Sequence, residues 1–236
     1  MPDAVKNLLL INLVMFLASI LFQSGTQDLR FTLGLHYFDS DSFEPYQVVT
    51  HMFMHGGLGH IFFNMFALIM FGSQLERVWG PKRFLTFYFI TGLGAVVLHL
   101  GVQAFELHQI WGSIRPLSHD LVSMSAGGIE RIEGISTDDL RRTLSIYSVP
   151  TVGASGAIYG LLLGFAMLFP NTELMLIFLP IPIKAKYFVP FLMLGELYLG
   201  VNNFSWDNIA HFAHLGGALF GFIMIMIWKR NRNNFY

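Results

Sequence analysis

Long apolar runs alternate with short polar segments along the whole chain, and six of these runs are candidate membrane-spanning helices. A helical span needs roughly 20 mostly apolar residues. Runs near this length predict helices at 5–23, 57–76, 84–105, 151–169, 186–201 and 208–228. The segment 171–184 is too short to cross a membrane and contains two prolines, so we expect it at the interface. The more polar segments 24–56 and 106–150 are predicted to be long loops.

The composition supports this interpretation of the apolar runs. Of the 236 residues, 54% are hydrophobic and 12% are charged, and the mean hydropathy is +0.55, whereas soluble domains carry roughly 25% charged residues. We therefore predict an all-α polytopic membrane protein, with residues 1–236 forming a single six-helix domain. The absence of cysteine excludes disulfides, a thiolate nucleophile and cysteine-based metal sites. A net charge of −1 gives no indication of a nucleic-acid partner.

The distribution of basic residues predicts the orientation. The first apolar run has one lysine before it and no clear small-x-small cleavage site after it, so we expect it to be retained as a span. Six spans place both termini on one side, and lysine and arginine are enriched on the cytoplasmic side. Nine of the 14 basic residues fall on the side of the termini: Lys6, Arg77, Lys82, Arg83, Lys184, Lys186, Lys229, Arg230 and Arg232. We therefore predict cytoplasmic termini and outer loops at 24–56 and 106–150.

Four polar side chains occur where three predicted spans enter the membrane from the outer side. They are Ser155 in the fourth span, His214 in the sixth, and His60 and Asn64 in the second. At 1.5 Å per residue, all four lie within several ångströms of the same depth. Polar groups inside a membrane usually face the bundle interior and mark function. A hydroxyl, imidazoles and an amide at one depth are the components of a hydrolytic site.

Small residues beside Ser155 and His214 predict that their two helices pack closely. Gly156, Gly160 and Gly164 repeat at four-residue spacing after Ser155, and Gly217 and Gly221 repeat after His214. Small residues at this spacing let helices approach closely in membranes. Close packing would bring the serine within hydrogen-bond reach of the histidine, as a nucleophile and its base require. The alternative is a plain packing seam with an incidental serine and a histidine bonded to a backbone carbonyl.

The remaining polar groups leave more than one interpretation. His60 and Asn64 are four residues apart, so both can donate hydrogen bonds in one direction, either as an oxyanion hole with the Ser155 backbone N–H or as an interhelical clamp. No His-Glu-x-x-His motif supports a metal site, and we expect none. Glu196 is a buried-looking acid of undecided role. His211 is expected near the surface and is the main rival for the base. No third acid of a triad is evident, so a Ser-His dyad is the simplest assignment.

These residues resemble the catalytic signature of the rhomboid family of intramembrane serine proteases. His55-x4-His60-x3-Asn64 is similar to the second-span motif of the family, Gly153-x-Ser155-Gly156 with Tyr159 to its nucleophile motif, and His214-x2-Gly217-x3-Gly221 to its last-span motif. Glu76-Arg77 resembles a further family pattern. In the first outer loop, Tyr46-Gln47 stands where bacterial relatives often have Trp-Arg.

The resemblance implies a six-helix core in which Ser155 is the nucleophile and His214 the base. Asn64 and His60 would bind the oxyanion, and Tyr159 would stack on His214. The implied activity is peptide-bond hydrolysis in transmembrane protein substrates within the lipid bilayer, without a cofactor. We expect an integral protein of a bacterial inner membrane. Two alternatives are a non-catalytic relative that binds membrane clients and a small transporter whose path is lined by His60, Asn64 and Glu196.

Overall fold

A computed structural model describes residues 1–22, 28–116, 135–176, 179–202 and 209–230. The described chain is helical except for one short hairpin, which confirms the predicted fold class. Its elements in chain order are α1 (Asp3–Leu21), α2 (Leu29–Leu33), α3 (Gln47–Thr50), a 3₁₀ turn (His51–Phe53), α4 (Leu58–Ala67), a π turn (Leu68–Gly72), α5 (Ser73–Trp111), α6 (Thr137–Ser148), α7 (Ser155–Leu168), β1 (Glu173–Leu176), β2 (Leu179–Lys184), α8 (Ala185–Asn202) and α9 (His211–Arg230).

The long helical stretch from α4 to α5 differs from the sequence prediction in how it is divided. Helix continues from Leu58 to Trp111, and within it Gly80 alone leaves helical geometry, with φ of +76°. Pro81 follows, and proline cannot donate the helical hydrogen bond. The Gly-Pro pair therefore breaks the stretch between the predicted spans 57–76 and 84–105. The second of these continues six residues beyond its predicted end, to Trp111.

Three described helices are long and apolar enough to cross a membrane by length and composition, namely α1, the stretch Leu58–Trp111 and α9. The shorter α7 is also apolar. Together they support an integral membrane protein, while the number of six crossings stays a prediction. Residue 23 at the end of the first predicted span, residue 208 at the start of the last, and 24–27 and 117–134 in the two predicted loops lie outside the described residues.

The bundle is apolar both inside and outside, as expected for a protein solvated by lipid. Phe84, Phe87 and Tyr88 of α5 are fully buried against Leu161 of α7 and Ile225 of α9. Large apolar side chains are also exposed on the outer face, including Val14, Val97 and Phe191. Extensive exposed apolar surface is typical of a membrane interaction site. The segment 171–184, expected at the interface, forms the antiparallel β1–β2 hairpin before α8.

Helix α1 is fixed to the rest of the bundle by a buried carboxylate. Glu76 accepts hydrogen bonds from the backbone N–H groups of Ala4 and Val5, at 2.9 and 2.8 Å. Both amides belong to the first turn of α1, where N–H groups have no partner within the helix. Glu76 therefore acts as an N-terminal cap supplied by another helix, and it joins α1 to the start of α5.

Candidate active site

Ser155 is the first residue of α7, and the turn that presents it depends on Gly153. Gly153 has φ of +126°, a region that side chains rarely adopt, and its N–H donates to the carbonyl of His51 at 2.9 Å. A Cβ at this position would lie 2.6 Å from Nε2 of His60. Residue 153 must therefore be glycine, because both the backbone conformation and the nearby imidazole of His60 exclude a side chain.

The structure brings the predicted nucleophile and base together. Oγ of Ser155 and Nε2 of His214 are 2.9 Å apart. His214 lies in the first turn of α9, and α9 packs directly on α7. A Cβ on Gly217 would fall 1.8 Å from the carbonyl oxygen of Gly156, so the two backbones touch where glycines face each other. Close approach of the helices, favoured by these small residues, sets the serine–histidine distance.

Tyr159 fixes the plane of the His214 ring. The two rings are stacked, with centroids 4.1 Å apart and planes inclined by 6°. Tyr159 is one turn after Ser155 on the same helix, so α7 supplies both the hydroxyl at the edge of the imidazole and the aromatic face beneath it. This arrangement is the one that the resemblance implied for Tyr159.

His60 and Asn64 line the same cavity as Ser155 and His214, which has a volume of about 790 Å³. The N–H of Gly56 donates to Nδ1 of His60 at 3.3 Å. Neutral imidazole has one donor and one acceptor nitrogen, so its proton lies on Nε2, the nitrogen beside Gly153. His60 thus presents an N–H toward the reaction site, and Asn64 is buried one turn further along α4.

Three helix N-termini meet at this cavity. Ser155 is the first residue of α7, and His214 and His60 lie in the first turns of α9 and α4. The first amides of a helix have no intrahelical partner, and the helix dipole makes this end positive. The backbone N–H of Ser155 therefore belongs to a set of donors that favours an anion, and the arrangement is suited to stabilising an oxyanion.

The position of Glu196 is the main feature that the sequence interpretation missed. Its carboxylate lies 3.0 Å from Nδ1 of His214 and 2.6 Å from Nδ1 of His211 through the same oxygen, Oε2. The hydroxyl of Tyr159 donates to the other oxygen, Oε1. The expectation that His211 lies near the surface is wrong, because its ring is 6% exposed and faces this carboxylate. An acid next to His214 is present after all, on α8.

Glu196, His211 and His214 are also the one group in the described part of the chain whose geometry would suit a metal ion. Their candidate ligand atoms lie within 4.8 Å of one another. The same atoms are already joined by hydrogen bonds between imidazole and carboxylate. His51, which lies on the same cavity, bonds through Nδ1 to the carbonyl of Gln47.

Residues of the two predicted loops also line the cavity. Gln47 is buried, and its amide joins Thr32, His36 and Ser42 through hydrogen bonds of 2.8 to 3.2 Å, so a neutral side chain organises the first loop. In the second predicted loop, 106–150, helix α6 supplies Arg142, Ser145 and Ile146 to the cavity lining.

Helix α6 is tied to the end of α5 and to the first loop. Arg142 pairs with Glu106 at 2.8 Å, and the indole of Trp111 donates to Thr143 at 2.8 Å. Burial, helped by Asp39, raises the pKa of Tyr147 above its usual range. Its hydroxyl therefore stays protonated and donates to Asp39 at 2.9 Å.

The family model and the relatives that match this chain all carry the same family name. Residues 42–231 match the model of the Rhomboid domain. The chain is 29% identical over 230 residues to RHOMBOID-like protein 12, mitochondrial, from Arabidopsis thaliana, covering 98% of this chain and 59% of that protein. It is 27% identical to Rhomboid-like protein 16, chloroplastic, from the same plant, covering 78% and 48%. It is 24% identical to Rhomboid protease AarA from Providencia stuartii, covering 91% and 68%. The chain thus spans about half to three fifths of the first two relatives.

Proposed function

The chain belongs to the rhomboid family, and from this premise we propose that it is an intramembrane serine endopeptidase that acts on transmembrane proteins. One observation carries the proposal: the 2.9 Å contact between Oγ of Ser155 and Nε2 of His214, inside a cavity that also contains His60 and Asn64. A relative named as a protease, from Providencia stuartii, supports the same reaction class.

The proposed chemistry is acyl transfer through a dyad. Nε2 of His214 takes the proton of Ser155 as its oxygen attacks the scissile carbonyl, and the imidazolium then returns that proton to the leaving amine. The tetrahedral oxyanion accepts hydrogen bonds from Asn64, from Nε2 of His60 and from the Ser155 backbone N–H. Water entering the cavity from the outer side hydrolyses the acyl-enzyme. Each oxyanion donor in a serine protease is worth about 10²–10³ in rate.

The proposed substrate is a transmembrane helix that is cleaved near its outer end. The cavity wall includes Phe63 of α4 and Leu192 and Leu199 of α8, so apolar groups meet an approaching helix at membrane depth. A helical peptide bond is shielded from attack, and the substrate must unwind locally. Glycine, which costs about 1 kcal/mol in a helix relative to alanine, is therefore expected to favour cleavage nearby.

The membrane in which the protein acts stays a prediction. The sequence favours a bacterial inner membrane with both termini in the cytoplasm. The relatives include mitochondrial and chloroplastic proteins of a plant besides a protease of a bacterium, so they do not support the bacterial inner membrane in particular. Topology mapping with reporter fusions at the two termini tests the orientation.

Cleavage of a generic transmembrane substrate by the detergent-purified protein tests the proposed function. Wild type is compared with Ser155→Ala and His214→Ala, and all three are treated with a serine-reactive fluorophosphonate. We expect cleavage and labelling by wild type and neither by the variants. Equal cleavage by wild type and both variants would contradict the dyad. An unreactive wild type without labelling of Ser155 would favour a client-binding protein instead.

A further inference from the structure

The carboxylate of Glu196 lies behind the proposed base, on the side away from Ser155. Nδ1 of His214 is 3.0 Å from Oε2 of Glu196, while Nε2 of the same ring is 2.9 Å from Oγ of Ser155. Hydroxyl, imidazole and carboxylate therefore form one hydrogen-bonded line. Glu196 is 8% exposed and His214 is 8% exposed, so the line is largely shielded from water.

We propose that Glu196 is a positioning residue of the active site, which holds His214 in the orientation and tautomer that accept the proton of Ser155. The inference rests on the proposed function and extends its Ser-His dyad by a third group. The acid comes from α8, whereas the serine and histidine come from α7 and α9. The line is therefore complete only when α8 is seated against both helices.

Hydrogen-bond capacity assigns the tautomer. An ionised carboxylate only accepts hydrogen bonds, and Glu196 faces three donors: Nδ1 of His211, Nδ1 of His214 and the hydroxyl of Tyr159. With its proton on Nδ1, neutral His214 presents a lone pair at Nε2. That lone pair faces Oγ of Ser155, so the nitrogen nearest the nucleophile is the one that can accept a proton.

The same contacts fix the ring in space. Tyr159 stacks on the face of His214 and also donates to Glu196, so one side chain restrains both the imidazole and its partner. His211 donates to the same oxygen as His214. Tyr159 of α7 and His211 of α9 thus hold the carboxylate of Glu196 in place. The carboxylate in turn holds the Nδ1 edge of the His214 ring.

The proton-transfer step gives the carboxylate its role. When Oγ of Ser155 bonds to the scissile carbon, its proton and positive charge pass to the imidazole of His214. The Nδ1–H of the resulting imidazolium continues to donate to Glu196, which stays ionised and stabilises that charge. In serine proteases of other folds, replacing the corresponding acid by its amide lowers kcat by about 10⁴.

Steady-state kinetics on the purified, intact chain test the inference. Glu196→Ala removes the acceptor and Glu196→Gln removes the charge, while Glu173→Gln changes an exposed acid of the hairpin and serves as the matched control. We expect kcat to fall by about 10²-fold or more in Glu196→Ala and by at least as much in Glu196→Gln, whose amide can donate to Nδ1 of His214 and favour the wrong tautomer. We expect no change in Glu173→Gln. KM is expected to change little, and fluorophosphonate labelling of Ser155 to slow in parallel with kcat.

A second measurement determines the tautomer of His214 in the wild type and does not require that a Glu196 variant folds. Nitrogen chemical shifts of ¹⁵N-labelled histidine distinguish the two neutral tautomers, and the signal lost in His214→Gln identifies His214. We expect the Nδ1-protonated form in wild type. A His214 ring protonated only at Nε2 would overturn the proposal whatever the kinetics show.

The outcomes separate this inference from the proposed function. If Ser155→Ala does not cleave the substrate while Glu196→Ala and Glu196→Gln cleave at the wild-type rate, the proposed protease activity stands and the role of Glu196 is overturned. A raised KM with unchanged kcat would also overturn it, because Glu196 would then contribute to substrate binding. Activity lost on chelation and restored by Zn²⁺ would assign the three residues to a metal instead.

Discussion

Gly217→Ala tests whether the contact between α7 and α9 sets the geometry of the active site. The added Cβ would lie 1.8 Å from the carbonyl oxygen of Gly156 and 2.7 Å from its carbonyl carbon. Carbon and oxygen normally approach no closer than about 3.3 Å, so the backbones must separate by roughly 1.5 Å. Backbone atoms cannot move aside as a side chain does, and the displacement is therefore expected to reach the neighbouring residues.

The displacement has a calculable effect on the proposed dyad. His214 is one turn before Gly217, and Ser155 precedes Gly156. Their 2.9 Å contact would therefore lengthen to about 4.4 Å if the whole displacement reaches it, beyond the usual hydrogen-bond limit of about 3.2 Å. A misplacement of 1 Å costs about 10² in rate. We expect kcat to fall by about 10²-fold or more, while overpacking lowers stability by about 1–3 kcal/mol.

Gly101→Ala is the matched control for this experiment. Gly101 lies within α5, and a Cβ there would meet nothing within 4 Å. Alanine is the better helix former by about 0.5–1 kcal/mol, so this variant should keep the wild-type rate and melt no earlier. Cleavage rate, fluorophosphonate labelling and thermal unfolding in detergent are measured for both variants. If Gly217→Ala cleaves the substrate at the wild-type rate, the contact between Gly217 and Gly156 does not set the Ser155–His214 distance.

Substitutions at three further positions test other parts of the structure. Asn64→Ala should lower kcat by about 10²–10³ with little change in KM, and an Asn64→Ala protein at full rate would remove the oxyanion role. Gly153→Ala should cost about 1–3 kcal/mol of backbone strain and also displace His60, so both melting temperature and kcat should fall; an unchanged melting temperature would argue against the required positive φ. Glu76→Ala should destabilise the protein by about 3–6 kcal/mol, since two hydrogen bonds to a carboxylate are lost at about 1.5–3 kcal/mol each. Glu76→Gln should lose less, and equal melting of Glu76→Ala and wild type would exclude the cap.

The meeting of Ser155 with His214 could be predicted because it depends on spacing along two helices. Glycines at four-residue intervals mark the face of each helix that packs closely, and the distance from the membrane entrance gives a common depth. In the structure, the Gly217 backbone touches Gly156. The spacing of the glycines was enough to predict the contact between Ser155 and His214, because each of these residues lies beside the glycines of its own helix.

Glu196 and His211 were harder to place because their positions depend on helix rotation. Helix α8 contains Pro190 and is apolar around its whole circumference, so periodicity does not reveal which face turns inward. Counting residues from the membrane entrance placed His211 near the surface. In fact α9 begins at His211 with that side chain turned toward α8, where it meets the carboxylate.

The cap that Glu76 provides for α1 also sets an order of events during synthesis. Ala4 and Glu76 are 72 residues apart, and chains grow at about 5–20 residues per second, so the acceptor emerges roughly 4–14 s after the amides that need it. Unpaired polar groups in a bilayer cost several kcal/mol each. The first turn of α1 must therefore be solvated by water or by the insertion machinery until α5 arrives. A helix made earlier is completed by one made later, and a ribosome that stalls before residue 76 leaves an uncapped α1 in the membrane.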